Sequence, residues 1–524
     1  MRTVLGSLLE DRARRNGGKA FLRYREQVVT YAEAADRARR VARGLADLGV
    51  DHGTHVGIFL PNRSEFVDTW FALATLGAVE VPVNVAHRGD LLRHVVKQSD
   101  VELLVTDAPL LERLAEVPEA LGRVRAIVLV GDGPAPDDVV GRKVVPFDDL
   151  LGAAPLAGES KVAHSDPLAI IYTSGTTGRS KGAICCHAYY LALAADYVAQ
   201  HRIVEDDCLY CYLPLFHVNA QAFTICGALV ANATVALTER FSASRFWGEV
   251  RAYGCTVFNA HGATLAMLFR QPERPDDADN RVRVVHATPA PPWLYESFER
   301  RFGVKLQEDY GSTESGVICY MPYDEVRIGS CGLPLPEYEV RIVDENDDEV
   351  PSNTVGEIVS RPRAPWRMFS GYYRMPEETL HAFRNLFFHT GDLGRKDDDG
   401  YVYFAGRKAD YLRRRGENVS CYEVENVLMN HPAVHECAVV GAPAEIGEEE
   451  VWAIVLRKPD AQVTELELVQ FCESRLPYFA VPRFVSWAQS LPKTPTGKTE
   501  KFRLRADGPA AAWDRQRVGY KVRR

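Results

Sequence analysis

Through the first two-thirds of the chain, short apolar runs alternate with longer stretches whose apolar positions recur every three to four residues. HVGIFL (His55 to Leu60) predicts a strand, and the following SEFVDTWFALATLG predicts a helix at 3.6-residue spacing. VEVPV, a helical LLRHVVKQS and VELLVT continue the alternation. Strands separated by helical segments imply βαβ units and parallel sheet. The pattern changes near Arg407. There CAVVG, EEVWAIVLRKP, a helical TELELVQFCESRL and VPRFVSW predict a small α+β module. The expected architecture is therefore α/β: a large N-terminal domain over 1–407 and a small, mobile C-terminal domain over 408–524. A large domain carrying a flexibly attached small one can close over a bound ligand.

Length and composition narrow the class. A chain of 524 residues exceeds one ordinary core. With 46% hydrophobic and 25% charged residues it has the balance of a soluble globular protein. A net charge of -9 argues against a nucleic-acid partner. No apolar run approaches the roughly 18 residues that span a bilayer, and charges interrupt the start where a signal peptide keeps its apolar stretch. The expectation is a cytoplasmic protein without a membrane partner. The eleven cysteines lie mostly in apolar segments. Cys208 and Cys211 form a lone C-x-x-C, with Cys185, Cys186 and His187 nearby in sequence. A structural zinc site needs four ligands in paired knuckles, so core thiols are the expectation.

Candidate chemistry enters with YTSGTTGRSKG, Tyr172 to Gly182. Glycines, hydroxyl residues and a lysine together suit a phosphate-cradling loop. Ser180 before Lys181 and Gly182 after it depart from the P-loop pattern. An apolar strand, PLAIIYTS, precedes the loop, and GAICCHAYYLALAADYVAQ after it is expected to be helical, which would set a helix N-terminus beside the anion. Thr173, Ser174, Thr176 and Thr177 supply hydroxyls; Gly175 and Gly178 permit close backbone approach. A flexible surface turn is the alternative.

Further motifs follow in order: YGSTE (Tyr310 to Glu314), TGDLG (Thr390 to Gly394), GRKADYLRRRGENVSCYEVE (Gly406 to Glu425) and PKTPTGK (Pro492 to Lys498). With these, the chain resembles the adenylate-forming superfamily of acyl-CoA synthetases, peptide-synthetase adenylation domains and luciferases, over essentially its whole length. RRRGENVSCYEVENVL and RFSASRFWGEVRAYGCT most resemble crotonobetaine/carnitine-CoA ligases and related acyl-CoA ligases.

The resemblance implies ATP, Mg²⁺ and CoA as cofactors and a small carboxylic acid as substrate. A carboxylate is a poor electrophile; joining it to AMP expels pyrophosphate and makes a mixed anhydride that CoA can open. By resemblance the Thr173–Gly178 loop and Lys181 hold the β/γ-phosphates, and Glu314 coordinates Mg²⁺. Asp309, Tyr310, Gly311 and Ser312, with Ala287, Thr288 and Pro289, form the adenine wall, and Thr313 belongs to the same ATP-binding stretch. Relatives often have Gly-Ala-Pro where this chain has Ala287-Thr288-Pro289. Asp392 accepts from the ribose hydroxyls, and Arg407 offers a planar cation to ribose or phosphate. Lys498 of the small domain reaches the acyl carboxylate and α-phosphate on closure. LPLFHVNAQ (Leu213 to Gln221) lines the acyl pocket: His217 stands beside the carboxylate, with Val218, Asn219, Gln221, His261 and Gly262 as further lining. The polar members favour a small or polar acid over a long fatty chain. Gly416 lets pantetheine thread past. Lys408 and Arg413 to Arg415 form a basic run that is either a solvated face or a partner for CoA phosphates. The usual pivot, Asp or Lys two residues after the motif arginine, is here Ala409, with Asp410 next.

Two other functions compete. The same adenylation could serve another acceptor, such as a carrier-protein thiol or an amine attacking activated nitrite in a diazotase-like reaction. A catalytically dead binding module is the third reading, against which stand Lys498, Glu314, Asp392 and the intact glycine loop.

Overall fold

The computed structural model describes residues 3–131, 136, 138–158, 160–173, 180–408, 411–414, 417–443, 449–493 and 499–522. Ser174, Gly175, Thr176, Thr177, Gly178, Gly416 and Lys498 lie outside them. The chain divides into two compact units, Met1–Glu339 with Ser360–Phe388, and Val340–Val359 with His389–Arg524.

The first unit contains a nine-stranded and an eight-stranded sheet. In the eight-stranded sheet, His55–Phe59 pairs in parallel with Val79–Pro82 on one side and Leu103–Asp107 on the other. The helices expected between them are Ser64–Leu76 and Gly89–Gln98. Ser64–Leu76 carries apolar residues almost all round because nearly all of it is covered; Trp70 and Phe71 stack there with ring centroids 5.5 Å apart. Its neighbour Tyr31–Asp47 starts at a capping box, where the Thr30 hydroxyl accepts from the Glu33 amide and the Glu33 carboxylate accepts from the Thr30 amide.

One local expectation fails. Lys181–Cys186 is a strand, antiparallel to Pro167–Thr173, and the helix begins only at His187. The glycine-rich loop therefore joins two strands, and no helix N-terminus follows it directly. The physical reason lies in the segment GAICC, whose residues are covered on both faces: Ala183, Cys185 and Cys186 are fully buried, and a Cβ on Gly182 would lie 2.7 Å from Ile170. Such a short apolar run cannot be told from a helix start by periodicity alone.

In the nine-stranded sheet, Cys208–Cys211, Val257–Ala260, Val284–Ala287 and Lys305–Ser312 are successive parallel neighbours. Their carboxyl ends feed the candidate segments at Leu213–Gln221, His261–Gly262, Thr288–Pro289 and Thr313–Glu314. Ligands of open parallel sheets bind outside those ends.

The second unit has its own core. Val434–Pro443 runs antiparallel to Glu449–Arg457, which pairs in parallel with Phe484–Trp487. Helices Cys421–Met429 and Glu465–Glu473 contribute Val424, Leu428, Leu468 and Val469 to the apolar cluster on this sheet. Among the described residues no helix is long and apolar enough to cross a membrane.

Candidate active site

Two clusters of different character stand at the strand ends of the first unit. The first is built around Glu314, two residues beyond the strand Lys305–Ser312. One carboxylate oxygen accepts from the Thr173 hydroxyl at 3.0 Å and from the Tyr372 hydroxyl at 3.2 Å. The other oxygen takes no hydrogen bond among the described residues. Thr173 is the last residue of its strand, so this carboxylate stands where the glycine-rich loop departs. Burial, then the charge of Glu314, raises the Tyr372 phenol above its ordinary range, so it remains a donor. Lys181 opens the return strand; its ammonium pairs with Glu378 and sits 5.0 Å from the centroid of the Tyr372 ring. Hard oxygen donors with one oxygen to spare fit Mg²⁺, which is held by one or two carboxylates together with substrate phosphates.

The turn that carries Glu314 depends on close backbone approach. A Cβ on Gly311 would lie 2.0 Å from the Gly316 carbonyl oxygen, so only glycine fits opposite it. The Ser312 hydroxyl accepts from the Glu314 and Ser315 amides, and the Thr313 carbonyl accepts from Tyr189.

The second cluster is buried. Asp309 lies 2.8 Å from His286 Nε2 and accepts from the Thr288 hydroxyl at 2.7 Å. Burial opposes ionisation of Asp309, but the His286 imidazole and the two hydrogen bonds hold its carboxyl below the usual carboxylate range. Ala287, Thr288 and Pro289 follow His286 directly, and Ala287 is opposite Glu308 in register. The adenine-wall candidates are thus neighbours in space: Asp309 and Tyr310 are buried, Gly311 is half-buried and Ser312 is exposed. His201 packs on His286 with centroids 4.9 Å apart, and burial drives its imidazole down to about 3.

The acyl candidates divide. His217, Val218 and Asn219 are half-buried, and Asn219 opens a seven-residue π-helical turn, Asn219–Ile225, a feature frequent at functional sites. Gln221 is fully buried instead: it donates to Glu80 and to the Leu215 carbonyl and accepts from Tyr190. Burial keeps Glu80 protonated well above the usual range. His261 caps the helix Gly262–Phe269 and lies 3.1 Å from the Thr288 carbonyl through Nδ1; a Cβ on Gly262 would touch Pro291 and the Pro289 carbonyl. Both therefore border the Ala287–Pro289 segment.

In the second unit, Asp392 is in register with Arg407 on paired antiparallel strands, with Arg407 Nε 3.5 Å from the Asp392 carboxylate. Lys408 pairs with Glu357 at 3.3 Å. Arg414 leaves the expected basic run: it is buried, 2.6 Å from Glu450, and donates to the Phe479 carbonyl. The cysteines are all free and buried.

Residues 9–373 match the model of the AMP-binding enzyme family, and 423–498 match the AMP-binding enzyme C-terminal domain. The chain belongs to the AMP-binding enzyme family. Within that family it is 34% identical over 484 residues to crotonobetaine/carnitine–CoA ligase of Salmonella paratyphi A, covering 91% of this chain and 93% of the relative. Among solved AMP-binding structures it resembles the anthranilate CoA ligase AuaEII in complex with anthranoyl-AMP (TM-score 0.89, 25% identity, 97% of each chain). It also resembles ATP-bound MatB from Rhodopseudomonas palustris (TM-score 0.86, 28% identity, 97% of this chain and 99% of that one).

Tyr372, Glu378 and His286 are absent from the residues picked out by sequence. Tyr372 and Glu378 follow no motif, whereas His286 directly precedes Ala287 and faces Asp309 from the neighbouring strand.

Proposed function

We infer that the protein is an AMP-forming acid–CoA ligase. A carboxylate oxygen of the acid attacks the α-phosphorus of ATP, and the bond to the β-phosphate breaks to release pyrophosphate. The CoA thiol then adds to the acyl carbonyl, losing its proton, and AMP leaves with the bonding pair. The observation that carries the reading is the Glu314 carboxylate, 3.0 Å from the Thr173 hydroxyl at the start of the Gly/Thr loop and with one oxygen that takes no hydrogen bond among the described residues.

The roles follow from the chemistry of each group. Thr173, Lys181 and the loop residues Ser174 to Gly178 bind the β/γ-phosphates. Glu314 would hold Mg²⁺, which when bound offsets phosphate charge. Ala287 to Pro289 and Tyr310 to Thr313 line the adenine end, and Asp309 belongs to that wall by holding its two segments together through His286 and Thr288. Asp392, an acceptor, suits the ribose hydroxyls; Arg407 suits ribose or phosphate. His217, Val218, Asn219, His261 and Gly262 contact the acid, while Gln221 supports them from the core. Lys498 stabilises charge in the first half-reaction and Gly416 admits pantetheine in the second, both from the small domain at 408–524. A cytoplasmic site of action belongs to this reading; eleven free, buried thiols suit a reducing compartment.

The test separates the half-reactions. Lys498→Ala is expected to slow pyrophosphate release by about 10²–10³, the usual cost of one preorganised charge, yet to convert supplied acyl-adenylate to thioester. Gly416→Leu is expected to release pyrophosphate and fail at thioester formation. If Gly416→Leu leaves CoA-dependent turnover untouched, either the loop role or the CoA acceptor is wrong.

A further inference from the structure

Asn219 does not stand alone at the mouth of its π-helical turn. Asn259, on the strand Val257–Ala260 and buried, reaches it through its side-chain amide. Asn259 Nδ2 donates to Asn219 Oδ1 and to Thr224 Oγ1, both at 3.0 Å, and Asn259 Oδ1 accepts from the Tyr197 hydroxyl at 2.7 Å.

Tyr197 decides which way this amide faces. Its ring is buried, stacked on Phe223 at 5.4 Å and edge-on to His286 at 5.5 Å. Burial raises its phenol, so the hydroxyl keeps its proton at every working pH. A buried O–H needs an acceptor, and leaving one unmade is costly. Among the described residues its acceptor is the side chain of Asn259, and an amide NH₂ accepts nothing. The oxygen of Asn259 therefore faces Tyr197, and its NH₂ faces Asn219 and Thr224. The group of Asn219 that meets that NH₂ must in turn be its oxygen. The Asn219 NH₂ is thereby turned away from Asn259, and it has no partner among the described residues on a half-buried side chain two positions beyond His217.

We propose that Tyr197 and Asn259 are positioning residues that fix Asn219 as a hydrogen-bond donor to the acyl group, so that the enzyme selects acids carrying a second acceptor oxygen, such as a hydroxyl, keto or further carboxylate oxygen. The proposal rests on the ligase reading above. A site built to bond a substrate oxygen discriminates against the analogue that lacks it, because the site's polar group is then left unpaired. An aliphatic acid of equal length leaves the Asn219 NH₂ without a partner. The proposal adds no covalent step; it changes only which acid is held.

The test compares butanoate with 2-, 3- and 4-hydroxybutanoate, 3-oxobutanoate and butanedioate, with acid-dependent pyrophosphate release and thioester formation as readouts. At least one oxygenated acid is expected to exceed butanoate by about tenfold in kcat/KM, the order of one polar contact. Asn219→Asp keeps the oxygen that accepts from Asn259 and turns an acceptor outward. The preference for 3-oxobutanoate and butanedioate, whose extra oxygens only accept, should therefore fall or reverse, while a hydroxy acid can still donate to the new carboxylate. Tyr197→Phe removes the hydroxyl that orients Asn259; the preference should shrink toward one while the KM for ATP stays within about twofold. A merely structural role would lower turnover of every acid alike. Should Tyr197→Phe fail to fold, Asn219→Asp, at a half-buried position, carries the test alone. Butanoate turned over as well as every oxygenated acid, or an unchanged ratio for 3-oxobutanoate and butanedioate in Asn219→Asp, overturns the proposal and leaves the ligase reading standing. No pyrophosphate release with any of the acids removes both.

Discussion

The two carboxylates at the end of the strand Lys305–Ser312, Asp309 and Glu314, lie five positions apart and are held in opposite ways. Asp309 is buried with His286 and Thr288 as partners on both oxygens. Glu314 is half-buried, and hydroxyls meet only one of its oxygens among the described residues. A carboxylate whose hydrogen-bonding capacity is filled from within holds neighbouring segments in place. One with capacity left over can serve a ligand. The same strand thus delivers a structural anion and, by our reading, a functional one. Substitutions should separate them cleanly: one set moves stability, the other moves rate.

The largest effect is expected at the buried pair. Asp309→Ala leaves His286 Nε2 and the Thr288 hydroxyl without their acceptor, and removing one member of a buried pair typically costs about 3–5 kcal/mol. Chemical denaturation of the first unit's signal should show this loss. Asp309→Leu combined with His286→Phe should recover part of it, because the buried imidazole leaves together with its acceptor and only the half-buried Thr288 hydroxyl is left without one. A double variant as unstable as the single one would mean that the pair acts through something other than mutual satisfaction.

Glu314 should give the inverse result. Glu314→Gln keeps the shape and can still accept from Thr173 and Tyr372, so the denaturation midpoint should stay within experimental scatter. Pyrophosphate release at limiting Mg²⁺ should nevertheless fall on the order of a hundredfold, since on our reading the lost charge is the one that serves the metal and the phosphates. Unchanged release under those conditions would remove Glu314 from the metal role and leave the two carboxylates alike.

The contrast also marks what the sequence carries. Strands such as His55–Phe59 and Leu103–Asp107, and the helix Ser64–Leu76, follow from periodicity, because continuous apolar runs and 3.6-residue spacing report burial directly. Family motifs such as YGSTE mark residues whose chemistry recurs, Glu314 among them. Lys181–Cys186 reads as a helix start since a short apolar run has no period of its own. Gln221 stands in a motif that we read as lining the acyl pocket, yet its amide is turned into the core toward Glu80 and Tyr190. No spacing along the chain reports that, because these partners lie 141 and 31 residues away. The orientation of Asn259 is likewise a three-dimensional fact, set by Tyr197, 62 residues earlier.

The smallest effect sharpens the buried side of the comparison through pH. His201 is packed between the Tyr197 ring at 4.5 Å and the His286 ring at 4.9 Å, with Nδ1 2.9 Å from the Tyr197 carbonyl. Burial first, then His286 and Arg283, push its imidazole down to about 3, against the favourable influence of that carbonyl and of Asp309. In the unfolded chain the same ring takes a proton near its ordinary value of about 6.5. Between those limits the unfolded state binds the extra proton, so stability is full above about 6.5 and falls as the pH drops toward 3. The slope from one such group is about 1.4 kcal/mol per pH unit. His201→Asn retains a donor for the Tyr197 carbonyl and has nothing to titrate. It should be less stable than the parent at pH 7.5, with the gap closing as pH falls from 6.5 to 4.5. His87 and His187, both lowered by burial to about 4, act in the same sense and keep the variant acid-sensitive. Urea midpoints measured across that range give the answer: a gap between parent and variant that stays constant with pH would mean that His201 is not held neutral by its surroundings, and that the buried cluster is less closed to protons than its packing implies.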